Sequence, residues 1–145
     1  MDFSTMFSML GQGFLVTLQI FFFTLVGALP LGVLVALGRM SKVKVISAIF
    51  RVYISIMRGT PLMLQLMFIY FAPYYIFGIK LSTEWSMGAC LVAFILNYAA
   101  YFAEIYRSGI QSIPTGQYEA AEVLGYSRAQ TFFKIIFPQV FKRII

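Results

Sequence analysis

The sequence predicts an all-α integral membrane protein, a multi-span bundle of helices, from three observations. Hydrophobic residues make up 61% of its 145 residues and aromatic residues 18%, and only 11% are charged. The mean hydropathy is +0.86. Three long apolar stretches, at about 14–37, 61–77 and 85–106, are separated by polar segments. Apolar helices of about 20 residues are long enough to cross the hydrocarbon core of a bilayer.

The residue types that are missing exclude several kinds of chemistry. The sequence has no histidine, and Cys90 is its one cysteine. These counts exclude histidine-based acid and base catalysis, His/Cys metal sites and an internal disulfide. No segment matches the Walker A pattern, which binds the phosphates of nucleotides. We therefore predict that the chain is not an enzyme, and that it has no catalytic residues, no metal site and no cofactor of its own.

Small residues recur at every fourth position of the first apolar stretch, at Ala28, Gly32 and Ala36. This spacing aligns them on one face of a helix, where they allow a neighbouring helix to approach closely. We expect the face to serve packing within the chain rather than an interface with another subunit. Pro30 lies among them and predicts a kink.

A basic segment follows, from Arg39 to Arg58, in which cationic and apolar residues are interleaved. We interpret it as an amphipathic helix lying on the cytoplasmic surface of the membrane. The loop at 78–84 has one lysine and one glutamate, and so no excess of positive charge. The positive-inside rule then predicts an N-terminus outside the cell. Nucleic acid is not expected as a partner, because topology explains the basic segment.

The second apolar stretch begins at the sequence Arg58-Gly59-Thr60-Pro61. Thr60 is predicted to cap a helix whose first residue is Pro61. Gln65 is a polar residue in an otherwise apolar helix, so it should face a partner helix or a cavity rather than lipid. Both a structural hydrogen bond and a contact with a transported solute would explain it.

The third apolar stretch has a polar stripe formed by Asn97, Tyr101 and Glu104, on the same helical face as Ala93. Arg107 follows Glu104 by three residues, and a local ion pair is the simplest interpretation of the two charges. Asn97 and Tyr101 are candidates for lining a polar pathway. For Asn97, a hydrogen bond between helices is the alternative.

Two short helices separated by a turn are predicted after this stretch. Thr115 can cap a helix over about 116–124, and Gly125 can end it in the left-handed conformation that glycine adopts readily. Ser127 and Gln130 have the spacing of a capping box, which would open the next helix.

The first of these two helices is short and rich in alanine. Ala120 and Ala121 are small enough for another protein surface to approach the backbone, and Glu119 and Glu122 are available as polar anchors. The alternative, equally compatible with the spacing, is a solvated amphipathic helix on the membrane surface.

Three segments resemble those of one family of membrane proteins. GQYEAAEVLG followed by IIFPQ resembles the cytoplasmic EAA loop of binding-protein-dependent ABC importer permeases. RGTPLMLQLMFIY and AYFAEIYRSGIQSIP resemble segments of the permeases for polar amino acids, those of the histidine, glutamine, glutamate and arginine type. The resemblance implies a helical bundle of the type I ABC importer permease kind. We expect a truncated domain, because the chain corresponds to the N-terminal part of the family's transmembrane domain.

The resemblance also implies roles for individual residues. The EAA loop couples the permease to an ATPase, and the matching residues are Gln117, Glu119, Ala120, Ala121 and Gly125. The candidates for the substrate pathway, Gln65, Asn97 and Tyr101, rest instead on the positions of polar side chains in apolar helices. Motifs shared across substrates imply a structural or coupling role for Arg58, Gly59, Thr60, Pro61, Glu104 and Arg107.

The implied function is the ATP-driven import of polar amino acids across a bacterial cytoplasmic membrane. The implied partners are a dimer of ABC ATP-binding subunits, a second permease subunit, an extracytoplasmic solute-binding protein, an amino-acid substrate and membrane lipid. ATP and magnesium would be bound by the ATPase. Two alternatives stay open, namely a multi-span membrane scaffold without transport activity and an ABC permease for another small polar solute. Neighbouring genes for a P-loop ATPase and a secreted binding protein would favour import.

Overall fold

The computed structural model describes residues 2–145, and within that range it contains helices and connecting turns but no strand. The all-α prediction is therefore confirmed. A π-helical turn, Phe132–Ile136, lies between the last two α-helices. The α-helices are α1 (Phe3–Arg39), α2 (Lys44–Gly59), α3 (Leu62–Phe77), α4 (Thr83–Gln111), α5 (Thr115–Val123), α6 (Arg128–Thr131) and α7 (Phe137–Ile144).

Two of these helices, α1 and α4, are each long and apolar enough to cross a membrane. The pair α2 and α3 bends by 110° at the short break between them, and it adds a third crossing if the bent pair is one span. α3 alone has 16 residues, fewer than the roughly 20 that a crossing needs. The second span predicted at 61–77 corresponds to α3.

The first helix is longer than predicted. It begins at Phe3 rather than at about residue 14, and it runs through Pro30 to Arg39 without interruption. Residues 3–13 contain no proline, so every residue of this segment keeps the N–H that a continuous helix requires.

Small residues let α1 and α4 approach closely. Ala28 and Ala36 are buried. A Cβ atom added to Gly32 would lie 2.8 Å from the Cβ of Phe102 and 3.3 Å from the carbonyl oxygen of Ala99. The small-residue face of α1 therefore packs inside the chain, as expected. On α4, the fully buried residues are Ala89, Ala93, Ala99, Ala100 and Ala103.

α5 ends at a left-handed glycine, as predicted, but it starts differently from the prediction. Gly125 has φ of 81°, and the Tyr126 N–H bonds the Ala121 carbonyl at 3.0 Å, as in a Schellman motif. Thr115 does not cap the helix but is its first residue, with Pro114 in the cap position. The fixed φ of proline places Pro114 in an extended conformation from which the helix starts directly.

The turn after α5 contains the predicted capping box. The Gln130 N–H donates to the Ser127 hydroxyl at 3.2 Å, and the Ser127 N–H donates to the Gln130 side chain at 3.0 Å. The π-helical turn follows, and Pro138 lies just after it at the start of α7. Proline has no N–H, and its ring clashes with the carbonyl four residues earlier in a regular α-helix. The wider π-helical turn before Pro138 relieves this clash.

The close approach of α1 and α4 predicts opposite effects of the same substitution at two glycines. Gly32→Ala should destabilise the full-length protein by about 1–3 kcal/mol, because the new methyl meets the Phe102 Cβ, which cannot move away independently of its backbone. Gly11→Ala is the matched control. An added Cβ there meets nothing within 4 Å, so the change should leave stability unchanged or raise it by up to ~1 kcal/mol. Unfolding in detergent measures both, and equal effects would contradict the packing.

Candidate functional site

The break between α2 and α3 leaves the Met57 carbonyl without a helical partner. In a continuous helix the Met57 carbonyl would accept from the N–H of residue 61, but Pro61 has none. Two side-chain amides donate to this carbonyl in place of the missing N–H. Gln65 Nε2, from α3, and Asn97 Nδ2, from α4, each donate to the Met57 oxygen at 3.1 Å. One acceptor therefore joins three helices.

The two amides also bond each other. Asn97 Nδ2 donates to Gln65 Oε1 at 2.9 Å, and Gln65 Nε2 donates to the Thr60 hydroxyl at 2.6 Å. Asn97 is 5% exposed. We call Met57, Thr60, Gln65 and Asn97 the hinge cluster. For Gln65 and Asn97 the structure thus shows hydrogen bonds between helices, while a contact with a solute stays a prediction.

Thr60 has a different role from the one predicted. Pro61, not Thr60, occupies the cap position of α3, which starts at Leu62. The Thr60 hydroxyl instead donates to the Ile56 carbonyl at 2.6 Å, at the end of α2. The extended backbone of Pro61 turns the chain before α3 begins, so Thr60 lies one position too early to cap it.

An ion cluster lies further along α4. Arg107 Nη2 is 2.7 Å from Glu104 Oε2, and Arg107 Nε donates to Glu104 Oε1 at 3.1 Å, so the predicted ion pair is confirmed. Arg58, at the end of α2, approaches the same carboxylate at 3.5 Å. Its guanidinium also lies 5.7 Å from the centre of the Tyr101 ring, within the range of a cation–π contact. The cluster therefore attaches the end of α2 to α4 a second time.

An open polar cavity of about 520 Å³ lies beside this cluster. Tyr101 and Glu104 line it from α4, and Arg143 lines it from α7. Arg143 Nη1 donates to the carbonyl and to the hydroxyl of Ser112, at 2.8 and 2.7 Å. The polar stripe of α4 therefore continues from the middle of the helix to the turn that leads into α5.

The predicted coupling residues of α5 lie on two sides of the helix, one in contact with the rest of the chain and one exposed. Gln117 and Gln139 of α7 exchange hydrogen bonds through their amides, at 3.1 and 2.5 Å. Ala121 is buried. Gln117 and Ala121 therefore attach α5 to the rest of the chain. Glu119 and Ala120, by contrast, are exposed.

Two exposed apolar residues at the end of α5 were not predicted from the sequence. Val123 is 87% exposed and Leu124 is 73% exposed. Glu122, also exposed, lies beside them. Val123 lies two residues after the buried Ala121, which places it on the opposite side of α5, and Leu124 follows the last residue of the helix. We call Glu119, Ala120, Glu122, Val123 and Leu124 the outer face of α5.

Comparison with known proteins identifies the family. Residues 28–145 match the family model described as binding-protein-dependent transport system inner membrane component. The chain belongs to this family. Among its relatives, the L-cystine transport system permease protein TcyB and the arginine transport system permease protein ArtQ, both of Bacillus subtilis, are each 38% identical to it over 92% of the chain.

A solved structure also matches this permease. A crystal structure described as an amino acid ABC transporter with histidines aligns with 99% of the chain, at a TM-score of 0.83 and 35% sequence identity. The aligned region is 67% of that chain. The fold is therefore that of a type I ABC importer permease. The permease described here spans 55% of the length of TcyB, 59% of ArtQ and 60% of a relative from Rickettsia conorii.

The hinge cluster predicts that Asn97 and Gln65 stabilise the fold as a unit. Asn97→Ala and Gln65→Ala should each lower the free energy of unfolding of the full-length protein by about 1–3 kcal/mol, because each removes a donor from a partly buried carbonyl. Their effects should not add, and a coupling energy of about 0.5–3 kcal/mol is expected. Gln12→Ala, on the exposed part of α1, serves as the control and should combine additively with Asn97→Ala. Additive effects of Asn97→Ala and Gln65→Ala would show that the bond between them contributes nothing.

Proposed function

We propose that the chain forms part of the membrane-spanning subunit of an ATP-driven, binding-protein-dependent importer for amino acids. Family membership supports a transport subunit, and the names of TcyB and ArtQ support an amino-acid substrate. Within that class, the resemblance of the RGTP segment favours polar amino acids. The observation that supports coupling most directly is α5, a short helix fixed on one side and open on the other.

The outer face of α5 is suited to a protein partner. Two carboxylates, Glu119 and Glu122, flank exposed apolar side chains, and α5 itself contains no lysine or arginine. Membrane-surface helices generally have cations on their polar face, because the cytoplasmic leaflet is negatively charged. The absence of cations from α5 therefore disfavours the alternative of a helix lying on the membrane, and favours a groove on an ATP-binding subunit.

The attachments of α5 provide a route for motion into the membrane. A three-residue turn, 112–114, connects α5 to α4. The amides of Gln117 and Gln139 connect it to α7, and the bonds from Arg143 to Ser112 connect α7 to the same turn. A displacement of α5 by an ATPase would thus be transmitted to α4 and α7 at once.

The remaining parts of the importer belong to this proposal. A second permease subunit, identical or paralogous, would complete the pathway, and a dimer of ATP-binding subunits would bind ATP and magnesium. An extracytoplasmic solute-binding protein would deliver the amino acid. Tyr101 lines the polar cavity and is the candidate for direct contact with the solute, whereas Gln65 and Asn97 would shape the pathway from within the hinge cluster.

Topology is the first requirement of this proposal. We expect the N-terminus outside, with α2 and α5 in the cytoplasm. In the full-length protein carrying Cys90→Ser, a cysteine introduced at Ser82 should react with an impermeant maleimide in sealed right-side-out vesicles, and one at Gln117 should react only after permeabilisation. Cys90→Ser without either new cysteine controls for background. Labelling at Gln117 and protection at Ser82 would reverse the orientation.

Coupling is tested by two substitutions with matched controls. Glu119→Lys reverses a charge on the outer face, and Gly125→Val forces a β-branched residue into a left-handed conformation, at a cost of about 1 kcal/mol or more. Both should weaken co-purification of the ATPase, or uncouple binding-protein-stimulated ATP hydrolysis, while membrane insertion is kept. Glu84→Lys and Gly11→Val make the same changes outside α5 and should preserve both. Normal association and normal stimulation in Glu119→Lys and Gly125→Val would exclude α5 as the coupling element.

A further inference from the structure

Four arginines from three helices line one small pocket, whose volume is about 200 Å³. Arg39 comes from the end of α1, Arg51 and Arg58 come from α2, and Arg107 comes from α4. The side of α2 that contributes to the pocket is the one that packs on α1 and α4, because the buried Ile54 lies in the same lining. The fold therefore brings together cations that are distant in the sequence. We call this cavity the arginine pocket.

The arginine pocket has an excess of positive charge. Glu104 is the one acidic residue among those that line it. Its carboxylate is paired with Arg107 at 2.7 Å and is approached by Arg58 at 3.5 Å. Four arginines and one glutamate leave a formal excess of three positive charges. Like charges held this close together repel one another, and an anion bound among them would relieve the repulsion.

Donors in the arginine pocket remain available to such an anion. Arg39 uses only Nη1, which donates to the Ser47 hydroxyl at 3.0 Å. Arg51 is exposed, and within residues 2–145 its guanidinium donates no hydrogen bond and forms no ion pair. Arg58 is also exposed. A ligand can therefore reach these guanidinium groups from solvent.

The type of cation in the pocket distinguishes a binding site from a signal for topology. The basic segment from Arg39 to Arg58 also contains Lys42 and Lys44, and neither of them lines the pocket. Lysine and arginine serve the positive-inside rule equally well, so topology does not explain why the pocket has arginine alone. A guanidinium group presents its donors in a rigid fork that matches phosphate oxygens. The lining is therefore suited to an oxyanion.

We propose that the arginine pocket binds a phosphate group, which accepts hydrogen bonds from Arg39, Arg51 and Arg58. The tetrahedral oxygens of phosphate can accept from guanidinium groups that approach from different helices. A volume of about 200 Å³ accommodates a phosphate ion with a few waters, each of which occupies about 30 Å³ in the liquid. A bound phosphate would join the end of α1 to α2 beside the ion cluster.

Other anions match the pocket less well. A chloride ion has one charge and cannot bridge several guanidinium forks. A carboxylate has two oxygens in one plane, which suits a single fork. A free phosphate ion has nearly two negative charges above neutral pH, whereas the diester of an anionic phospholipid has one. Both sources offer the same tetrahedral group, and we expect the free ion to bind more tightly because it balances more of the excess charge.

Phosphate binding by the full-length protein tests the proposal. The protein is purified in an uncharged detergent and titrated with sodium phosphate in a calorimeter, with the ionic strength kept constant by sodium chloride. The unmodified protein should show saturable binding. Arg51→Gln should weaken it about five-fold, which corresponds to the upper value of about 1 kcal/mol for an exposed ion pair. Arg51→Lys keeps the charge but loses the fork, so its affinity should be intermediate.

Lys44→Gln is the matched control. It removes the same charge from the same helix, but Lys44 does not line the pocket. Its phosphate affinity should therefore equal that of the unmodified protein. An equal loss in Lys44→Gln and Arg51→Gln would show that only the overall charge of α2 attracts phosphate.

Thermal unfolding in detergent gives a second measurement. In chloride without phosphate, Arg51→Gln should be at least as stable as the unmodified protein, because it removes repulsion between like charges. Phosphate should raise the unfolding temperature of the unmodified protein more than that of Arg51→Gln, since a ligand that binds only the folded state stabilises it. A merely structural role of Arg51 predicts a less stable variant and the same response to phosphate in both proteins.

Competition distinguishes the two sources of phosphate. Short-chain phosphatidylglycerol that displaces inorganic phosphate at equal concentration would identify a lipid headgroup as the better ligand of the same site, and undiminished binding would identify the free ion. The proposal is overturned if the unmodified protein shows no saturable binding, or if Arg51→Gln binds phosphate as tightly as the unmodified protein. None of these measurements requires ATP hydrolysis or transport, so their outcome is independent of the proposed importer function.

Discussion

The carbonyl of Met57 is the point on which the arrangement of α2, α3 and α4 depends. Pro61 removes the donor that would satisfy it in a straight helix, and an acceptor left unbonded away from water would cost about 1–3 kcal/mol; the bonds to the Met57 carbonyl are partly buried. The chain satisfies it with the amides of Gln65 and Asn97, which must come from α3 and α4. Satisfying this one acceptor therefore fixes both the bend of 110° and the position of α4 beside it.

The composition of α4 makes this arrangement possible. An amide reaches across from α4 to the α2–α3 break only if the helices are close, and the buried positions of α4 are mostly alanine. Gly32 gives the same closeness on the side of α1. Between closely packed helices in a membrane, van der Waals contact and hydrogen bonds replace the hydrophobic driving force that water would provide. The alanines of α4 thus allow the close approach that the hydrogen bonds of the hinge cluster require.

The features that the sequence predicted correctly are mostly local. Gly125 and the box of Ser127 and Gln130 depend on residues within one turn, and the pair of Glu104 and Arg107 depends on a spacing of three. Each could be inferred without knowing the neighbouring helices. The resemblance of longer segments then indicated the family, and with it a fold that no local pattern defines.

The errors and omissions concern prolines and contacts distant in sequence. Thr60 and Thr115 were expected to cap helices, but a neighbouring proline occupies the cap position in each case. The bond from Asn97 to the Met57 carbonyl joins residues 40 apart, and no periodicity indicates such a pair. The outward direction of Val123 and Leu124 also depends on contacts made elsewhere on α5.

The two attachments of α2 to α4 differ in strength, and this difference indicates where the bundle can move. The hinge cluster is held by hydrogen bonds to Asn97, which is almost completely buried, so breaking it would leave polar groups unsatisfied away from water. The ion cluster of Arg58, Glu104 and Arg107 is partly exposed, and exposed ion pairs contribute only about 0–1 kcal/mol each.

A force applied at α5 reaches the ion cluster before the hinge cluster, because α4 runs from Asn97 past Glu104 to the turn at Ser112. The weaker attachment is therefore the one nearer to α5. We expect α4 to pivot at Asn97 when α5 is displaced, with the contact between Arg58 and Glu104 opening first. The polar cavity beside Tyr101 would change shape in the same step, since Arg58 and Glu104 both line it.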